Sequence, residues 1–324
     1  MKTLKEIYQA NEELNYIDSS LYSRYRVKAG LRNDNGTGVK VGLTKICDVI
    51  GYKFVHEKKY NIDGQLIYRG YPINYLVDKQ PKDRIFGFEE VAFLLIFGTL
   101  PTEEQLQEFK DYLLNFKMGP VDLQYETPNI LNALQIEVLK LYAKDPSADT
   151  DDLEERMMKG LNILASIPLF TFSYARNKVF KSYPYPDKSL AENILCMARG
   201  NDQYTLEEAR ILDTLLMVHA DHGGGNNSTF ANVVISSTGT DIYSCISAAI
   251  GSLKGPKHGG ANCKVTNMFK AIFHEVGFTT DKLTLKKIAN RLLDKDFFDH
   301  SGLIYGIGHA IYTKSDPRAL LIQQ

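Results

Sequence analysis

Apolar residues along most of this chain recur every three or four positions, which is the spacing of one face of a helix. In the segment 240–253, for example, Ile242, Ile246 and Ile250 follow this spacing. The same kind of pattern starts at Phe88 and continues through most of the remaining chain. It predicts helices over residues 88–98, from 102 onward, and over 129–144, 153–175, 189–199, 205–219, 227–236, 240–253, 261–276 and 282–294.

Local signals mark the junction between the first two of these helices. Gly98 follows the apolar run FEEVAFLLIF, and glycine readily ends a helix in the left-handed conformation. Pro101 and Thr102 then precede two glutamates, which is typical of a helix start. We therefore predict that one helix ends at Gly98 and that the next begins at Thr102.

A single segment has a clear strand pattern. Residues 53–69, KFVHEKKYNIDGQLIYR, contain two β-rich runs that flank Asp63 and Gly64, and this dipeptide suits a tight turn with positive φ. Residues 1–35 are polar and charged, and they predict a peripheral arm or first helix followed by a loop. The predicted fold class is mostly α, with a small β-hairpin near the N terminus.

Small residues form a second stripe within the segment 240–253. Ser244, Ala248 and Gly251 lie three or four positions apart, so another helix can approach this face closely. The approaching helix is either a neighbour in the fold or part of a second subunit, and the sequence leaves both alternatives open.

Composition narrows the functional classes. The 324 residues are 44% hydrophobic and 24% charged, which is typical of a globular chain with a substantial core. The formal net charge is −1, so no overall field favours nucleic acid or an anionic membrane, and we expect neither as a partner. No apolar run is long enough for a membrane span or a signal peptide. The four cysteines are widely spaced and favour free thiols in a reducing compartment, so we expect a cytoplasmic location.

Three of the seven histidines lie in glycine-flanked segments. His222 lies in HADHGGGNNS, His258 in LKGPKHGGAN and His309 in GLIYGIGHAIY. Glycines beside a histidine let a ligand approach the backbone closely. His258 precedes the helix that is predicted to start near Ala261, and the helix dipole there favours a neutral imidazole. A neutral imidazole can donate to a carbonyl oxygen and stabilise an enol as it forms.

For each of these histidines, a structural position without a catalytic role remains an alternative at this point. A glycine-flanked histidine is most often a loop residue. His219 and His222 have the spacing of a metal pair, but no third ligand lies nearby. His219 continues a stripe with Ile211 and Leu215, which favours a core position. The remaining histidines are interpreted as structural or surface residues, namely His56, His274 and His300.

Other catalytic motifs are missing from the sequence. GIGHAI supplies only two glycines of a dinucleotide-binding fingerprint and follows no βαβ pattern. Neither the phosphate-binding GxxxxGK[ST] nor the hydrolase elbow GxSxG occurs. Arg318, nine residues beyond His309, could clamp a carboxylate with two parallel hydrogen bonds from its guanidinium group.

Five segments together carry a resemblance to a known family. They are, in chain order, GQLIYRGYPINYL (64–76), FEEVAFLLIFGTLP (88–101), HADHGGGNNSTF (219–230), SLKGPKHGGAN (252–262) and GIGHAIYTKSDPR (306–318). In these motifs and in their order, the chain resembles the citrate synthase family, and most closely its bacterial members. The resemblance implies a multi-helical fold with a large helical domain over 1–258, including the arm and hairpin, and an incomplete small domain over 259–324. It also implies a homodimer.

The resemblance assigns roles to individual residues. His258 and His309 are implied to be catalytic, the first stabilising the enol of acetyl-CoA and the second protonating the oxaloacetate carbonyl. His222, Arg318 and Asn226 are implied to bind oxaloacetate. Contacts with CoA are implied for Ile304, Gly306, Ile307, Gly308, Ala310 and Lys314. The reaction implied is that of an acyltransferase, which condenses acetyl-CoA, oxaloacetate and water to citrate and CoA. No metal and no cofactor are expected, since the CoA thioester is a substrate.

One departure from the family pattern concerns the catalytic base. In the family an aspartate C-terminal of the DPR motif removes the methyl proton, whereas this sequence stops at Gln324, six residues after Arg318. The resemblance therefore implies a C-terminally truncated chain or a naturally short, inactive relative, and we expect truncation and little turnover. The alternatives are a 2-methylcitrate synthase that uses propionyl-CoA, a non-catalytic binding or dimerisation fragment, and an unrelated metal-binding protein.

Overall fold

A computed structural model describes residues 44–119, 121, 123 and 127–323, together with the isolated positions 18, 20 and 24. The arm or first helix expected over residues 1–35 lies almost wholly outside the described residues. Within them the chain is mostly helical, with one small antiparallel sheet, as the sequence predicts. In this part of the chain, no helix has the length and apolar character needed to cross a membrane.

The sheet is a hairpin with a short third strand. Strands β1 (Cys47–Val55) and β2 (Lys58–Tyr68) pair antiparallel, and β3 (Tyr71–Pro72) adds to the other edge of β2. The register shifts between Ile50 and Tyr52, where β1 contains a bulge or irregularity. The hairpin predicted near the N terminus is therefore confirmed.

The predicted position of the hairpin turn is wrong. The chain reverses at His56 and Glu57, whose φ angles are 46° and 64°, as in a two-residue turn with two left-handed residues. Asp63 and Gly64 lie inside β2 instead. A Cβ at Gly64 would overlap the carbonyl oxygen of Ser315, so a glycine stands here because another segment approaches the strand.

Twelve helices follow in the described part of the chain, and ten of them lie within a few residues of the predicted ranges. The two additional helices are short, and they are the first and the last. The bounds are α1 Ile73–Asp78, α2 Gly87–Phe97, α3 Glu103–Leu114, α4 Ile130–Lys144, α5 Leu153–Arg176, α6 Leu190–Arg199, α7 Leu206–His219, α8 Asn227–Ser236, α9 Ile242–Leu253, α10 Ala261–Val276, α11 Lys282–Leu293 and α12 Pro317–Gln323.

The signals at the junction of α2 and α3 have the predicted structural effect. Gly98 has a φ of 89° and ends α2 in the left-handed conformation. Thr102 caps α3 through its side chain, which accepts a hydrogen bond from the backbone N–H of Gln105 at 3.2 Å. The Gln105 side chain accepts in return from the Thr102 backbone N–H at 2.9 Å, which completes a capping box.

Two hydrophobic clusters fill most of the interior. The larger one joins α2 through α6, and it includes Leu113, Leu169 and Met197. The second cluster joins the hairpin to α1, α2, α7 and α12, with Leu66 of β2 and Leu321 of α12 among its buried members. The hairpin and the last helix are thus parts of one core, although some 250 residues separate them in sequence.

A separate, smaller cluster lies in the segment that contains α10 and α11. Met268, Ile288 and Leu292 are buried there, and Ile304 and Tyr305 pack against them. The division of the chain at residue 258 stays a prediction. α12, by contrast, packs against β2, α1 and α7, which belong to the predicted large domain.

The small-residue stripe of α9 has a neighbour within the fold. A Cβ at Gly251 would crowd the Gln135 side chain of α4. The Gln135 amide donates to the carbonyl oxygen of Ser247 at 3.0 Å. Of the two alternatives that the sequence leaves open, a neighbouring helix of the same chain is the one present at Gly251.

Candidate active site

The structure brings together two of the three glycine-flanked histidines. α7 ends at His219, and the loop after it carries His222 next to Gly223, whose φ is 72°. His309 arrives from the other end of the chain, on the loop that precedes α12. The Nε2 atoms of His222 and His309 are 2.9 Å apart, and the two rings meet edge to face. We refer to these two residues as the histidine pair.

Backbone contacts define the tautomers of the histidine pair. The Nδ1 atom of His309 accepts hydrogen bonds from the backbone N–H groups of Ile311 and Tyr312, at 3.1 and 3.0 Å. A neutral His309 ring therefore carries its proton on Nε2 and donates it to Nε2 of His222. His222 then has its proton on Nδ1, a buried atom without a hydrogen-bond partner among the described residues.

Burial keeps His222 neutral. Burial is the main cause that lowers the pKa of His222 to about 3, and the positive charge of Arg318 and the nearby His309 lower it further. The imidazole can therefore donate or accept hydrogen bonds near neutral pH without carrying a charge. The cost of its unpaired Nδ1–H would be relieved by a ligand that offers an acceptor there.

Arg318 lies beside the histidine pair at the start of α12. Its Nε and Nη2 atoms donate to the two carboxylate oxygens of Asp316, at 3.0 and 2.7 Å. Burial works against the ionised form of each partner, but this bidentate ion pair outweighs it and holds the pKa of Asp316 below its usual range. Arg318 thus makes a bidentate contact with the carboxylate of Asp316, and its contact with a substrate carboxylate stays a prediction.

His258 lies near the start of α8 instead of within the histidine pair. Its Nε2 atom is 3.0 Å from the hydroxyl oxygen of Ser228, in the first turn of α8. α10 begins at Ala261, as the sequence predicts, so His258 lies in the loop just before it. Burial lowers the pKa of His258, which favours the expected neutral ring.

Asn226 is the N-cap residue of α8 in the same region. Its side-chain oxygen accepts from the backbone N–H groups of Ser228 and Thr229, at 2.8 and 3.2 Å, and so caps α8. The cap fixes the first turn of α8 and with it the hydroxyl that contacts His258. A contact of Asn226 with substrate stays a prediction.

The residues predicted to meet CoA lie on an open loop. Gly306 and Gly308 have φ angles of 87° and 100°, and Ile307 is 76% exposed. Ile304 packs against the cluster of α10 and α11. The other two residues predicted for CoA contact, Ala310 and Lys314, are exposed. All six assignments stay predictions.

The hairpin supports the segment that carries His309 and Arg318. The backbone N–H of Gly64 donates to the Ser315 hydroxyl at 3.2 Å, and the Tyr312 hydroxyl donates to the Gln65 carbonyl at 3.0 Å. At the bulge of β1, a Cβ on Gly51 would overlap the carbonyl oxygen of Ile311. Both glycines of the hairpin therefore allow close contact with the segment 311–317.

Sequence reasoning missed two tyrosines of this site. The Tyr68 hydroxyl, at the end of β2, is 3.1 Å from the Met217 carbonyl and 3.0 Å from the Asp221 carbonyl, so it braces the loop that carries His222. Tyr312 stacks on His309, with ring centroids 4.6 Å apart. For Tyr312 the spacing of three residues after His309 was an available signal, whereas nothing near Tyr68 in sequence indicated its contacts.

The prediction that His219 occupies the core is wrong. His219 is exposed, and its Nδ1 atom lies 2.7 Å from the Leu215 carbonyl of its own helix. Ile211 of the same stripe is also exposed, because this face of α7 points away from the interior. The three histidines predicted as structural or surface residues are all exposed, namely His56, His274 and His300. In the part of the chain that the structure describes, no cluster of three or more potential metal ligands occurs.

Known proteins resemble this chain in both sequence and fold. The family model described as "Citrate synthase, C-terminal domain" matches residues 32–324. A citrate synthase of Haloferax volcanii is 36% identical over 273 residues, covering 80% of this chain and 66% of the relative. A 2-methylcitrate synthase of Corynebacterium glutamicum is 33% identical over 265 residues, covering 78% and 65%.

A solved structure extends the match to three dimensions. The crystal structure of citrate synthase from Thermotoga maritima superposes with a TM-score of 0.66 at 28% identity, covering 89% of this chain and 70% of that one. The mostly helical fold with a small sheet is therefore shared with it. The chain spans about two thirds of the length of the curated relatives it matches.

Proposed function

The chain belongs to the citrate synthase family, and we propose that the whole protein condenses acetyl-CoA with oxaloacetate to citrate and CoA. For residues 1–324 themselves, we propose the oxaloacetate site. The observation that carries this proposal is the 2.9 Å contact of the histidine pair beside the bidentate guanidinium group of Arg318. A keto dicarboxylate needs both elements, namely a cationic clamp for a carboxylate and neutral donors for the keto oxygen.

Each site residue has a role in this reaction. Arg318 binds a carboxylate of oxaloacetate in place of Asp316, and His222 donates from its unpaired Nδ1 or, once the pair separates, accepts at Nε2. His309 holds its proton on Nε2 and gives it to the keto oxygen as the new carbon–carbon bond forms. His258, neutral through burial, donates to the thioester carbonyl and stabilises the enol.

The overall chemistry is an aldol-type condensation followed by hydrolysis. A base removes a methyl proton of acetyl-CoA, the resulting enol carbon bonds to the keto carbon, and the keto oxygen takes up a proton. Water then cleaves the thioester bond and releases citrate and CoA. We assign no residue as the base, because Asp316 is paired with Arg318 and Asp221 accepts from the Gly223 backbone N–H at 2.8 Å.

The CoA thioester is the second proposed ligand. Positive φ angles at Gly306 and Gly308 expose the backbone of the loop 304–308, so its amides and carbonyls can meet a nucleotide. Lys314 is exposed and could reach a phosphate. We propose contacts with Ile304, Ile307 and Ala310 as well, and we propose a small domain that starts near residue 259 and closes over this loop.

Thiol release from CoA tests the proposed reaction in the whole protein. We expect the variant His309→Gln to lower kcat by about a hundredfold or more, since a general acid contributes roughly that much. His219→Gln is the matched control, because His219 is exposed and lies outside the histidine pair. Release of CoA thiol at the wild-type rate from the His309→Gln variant would contradict the proposal.

A second candidate is 2-methylcitrate synthase. It is favoured by the relative of that name in Corynebacterium glutamicum, which is 33% identical to this chain. Both reactions use the same histidines and differ only in the acyl chain. Comparing kcat/KM for acetyl-CoA and propionyl-CoA decides between them, and the larger value identifies the natural thioester. A non-catalytic scaffold would bind neither oxaloacetate nor thioester.

We also propose a homodimer in the cytoplasm. α8 has no fully buried residue, and Val233 and Val234 on it are more than 40% exposed, so an apolar helix is left for a second copy to cover. Three of the four cysteines are buried and all four are free, which supports a reducing compartment. Analytical ultracentrifugation tests the dimer, and a monomer at micromolar concentration would contradict it.

A further inference from the structure

One buried side chain has ring contacts with three groups that the proposed function assigns to oxaloacetate, namely His222, His309 and Arg318. Tyr312 is 4% exposed, and its ring stacks on His309 with an interplanar angle of 21°. The His222 ring meets it edge-on at 5.9 Å, and the guanidinium carbon of Arg318 lies 5.9 Å from its centroid. Aromatic stacking and cation–π contact each favour one relative orientation of the groups involved.

Both ends of Tyr312 are themselves fixed. Its hydroxyl donates to the Gln65 carbonyl of β2 at 3.0 Å, and burial raises its pKa, so the hydroxyl remains protonated. Its backbone N–H donates to Nδ1 of His309 at 3.0 Å. The ring is therefore a rigid surface between the hairpin and the histidine pair.

The backbone and the ring of Tyr312 act on different properties of His309. The backbone N–H requires an unprotonated Nδ1 and so sets the tautomer. The stacked ring sets the plane of the imidazole, and the tautomer persists only while that plane keeps Nδ1 directed at the backbone. Loss of the ring should therefore release both properties.

We propose that Tyr312 is a positioning residue, which holds His309 as its Nε2–H tautomer and keeps Arg318 beside it for the substrate carboxylate. This inference rests on the proposed function as an oxaloacetate site. Tyr312 has no proton-transfer step of its own. Its effect is on the geometry of the groups that touch the substrate.

Nitrogen-15 NMR of the histidine side chains tests this inference without any substrate. In the wild-type chain of residues 1–324, we expect His309 as the Nε2–H tautomer and His222 as the Nδ1–H tautomer. Tyr312→Leu should give mixed tautomers at His309. Tyr183→Phe is the matched control, because Tyr183 is also buried and donates to a backbone carbonyl, that of Ala165, at 2.8 Å.

Oxaloacetate affinity, measured by calorimetry, is the second readout. Tyr312→Leu should weaken binding about tenfold, which corresponds to the loss of one stacked and one cation–π contact. Tyr312→Phe keeps the ring and should weaken binding only about threefold, through loss of the hydroxyl anchor. Tyr183→Phe should leave the affinity unchanged.

The possible outcomes separate this inference from the proposed function. A wild-type chain that binds no oxaloacetate overturns the proposed function, while the tautomers still report on Tyr312. Unchanged tautomers and unchanged affinity in Tyr312→Leu overturn the positioning role. If that variant does not fold, the affinity of Tyr312→Phe decides: oxaloacetate binding weakened about threefold supports a role for the anchored ring, and wild-type affinity overturns it.

Discussion

The two ends of the proposed site differ in how much of their geometry is already fixed. At the closed end, His222, His309, Tyr312 and Arg318 contact one another over the hairpin. The open end comprises residues 256–308. There the loop before α10 carries His258, and Gly306, Ile307 and Gly308 are exposed. The side chains of the closed end thus already contact one another, whereas much of the open end is exposed.

The hydrophobic clusters that support the two ends differ in size. The closed end is supported by the second hydrophobic cluster, which joins the hairpin to α7 and α12. The open end has only the small cluster around Met268, and it leaves Phe269 and Phe273 of α10 61% and 57% exposed. Substitutions at the closed end should therefore alter both stability and oxaloacetate binding, and equivalent substitutions at the open end should alter neither strongly.

The largest expected effect is at Gly64. In Gly64→Val the new side chain would overlap the Ser315 carbonyl and crowd the Tyr312 ring, so the segment that carries His309 must move. Such overpacking costs about 1–3 kcal/mol of unfolding free energy. We expect a lower Tm and loss of oxaloacetate binding, measured by thermal unfolding and calorimetry.

Gly119→Ala is the control for this substitution, because a Cβ at Gly119 would meet no atom of the described residues within 4 Å. A Gly64→Val protein with wild-type Tm and wild-type affinity would show that the hairpin does not support the closed end.

The next effect is a pH dependence from Glu89, which lies in α2, a helix that contributes to the hydrophobic cluster under the hairpin. Burial, followed by the charge of Asp213, raises the pKa of Glu89 to about 8, from an ordinary value of 4.5. The folded state therefore holds this proton more tightly than the unfolded state. The stabilisation is complete below about pH 4.5 and is lost as pH rises toward 8.

Glu89→Gln should remove this dependence. A glutamine can still accept the hydrogen bond from the Leu190 backbone N–H, which measures 2.7 Å to Glu89, but it cannot ionise. We expect denaturant unfolding of the variant to give a flatter stability profile between pH 5 and about 8. A wild-type profile in the variant would show that Glu89 is not the group that titrates.

The open end should have a pH dependence of opposite sign. Hydrogen bonds from Tyr305 and Ser301, and the ion pair with Lys264, lower the pKa of Asp299. Its stabilisation is present above its ordinary pKa and is lost as pH falls. Asp299→Asn should therefore destabilise the chain slightly at pH 7 and less at pH 2–3, where part of the stabilisation is already lost. Equal destabilisation at both pH values would contradict this assignment.

The smallest effect is expected at the exposed face of α10. Phe273→Ser should change the unfolding free energy by no more than about 0.5 kcal/mol, as is usual for exposed positions. Phe109→Ser at the buried position in α3 is the matched comparison and should cost several-fold more. A large loss from Phe273→Ser would show that the open end is covered in solution.

Local patterns predicted much of the fold. Helix starts such as Thr102 and helix ends such as Gly98 depend on residues within one turn, so they can be recognised in sequence. The hairpin turn was wrongly predicted at Gly64, because the glycine is needed there for the close approach of Ser315, some 250 residues away in sequence. His219 was misplaced because apolar spacing does not tell which face of α7 is covered.

Local sequence patterns also predicted part of the candidate site. The glycine-flanked motifs identified His222, His258 and His309, but only the structure brings His222 and His309 into contact. The hydroxyl contacts of Tyr68 and Tyr312 could not be predicted, because their partners lie on segments about 150 and 250 residues away. No local pattern encodes such pairings.

Calorimetric titration of oxaloacetate into the chain of residues 1–324 tests the central claim most directly. We predict one binding site per chain, with the affinity lowered about tenfold or more by His222→Gln and unchanged by His219→Gln three residues earlier. Absence of binding by the wild-type chain, or equal affinities in the two variants, would contradict the claim that the histidine pair is an oxaloacetate site.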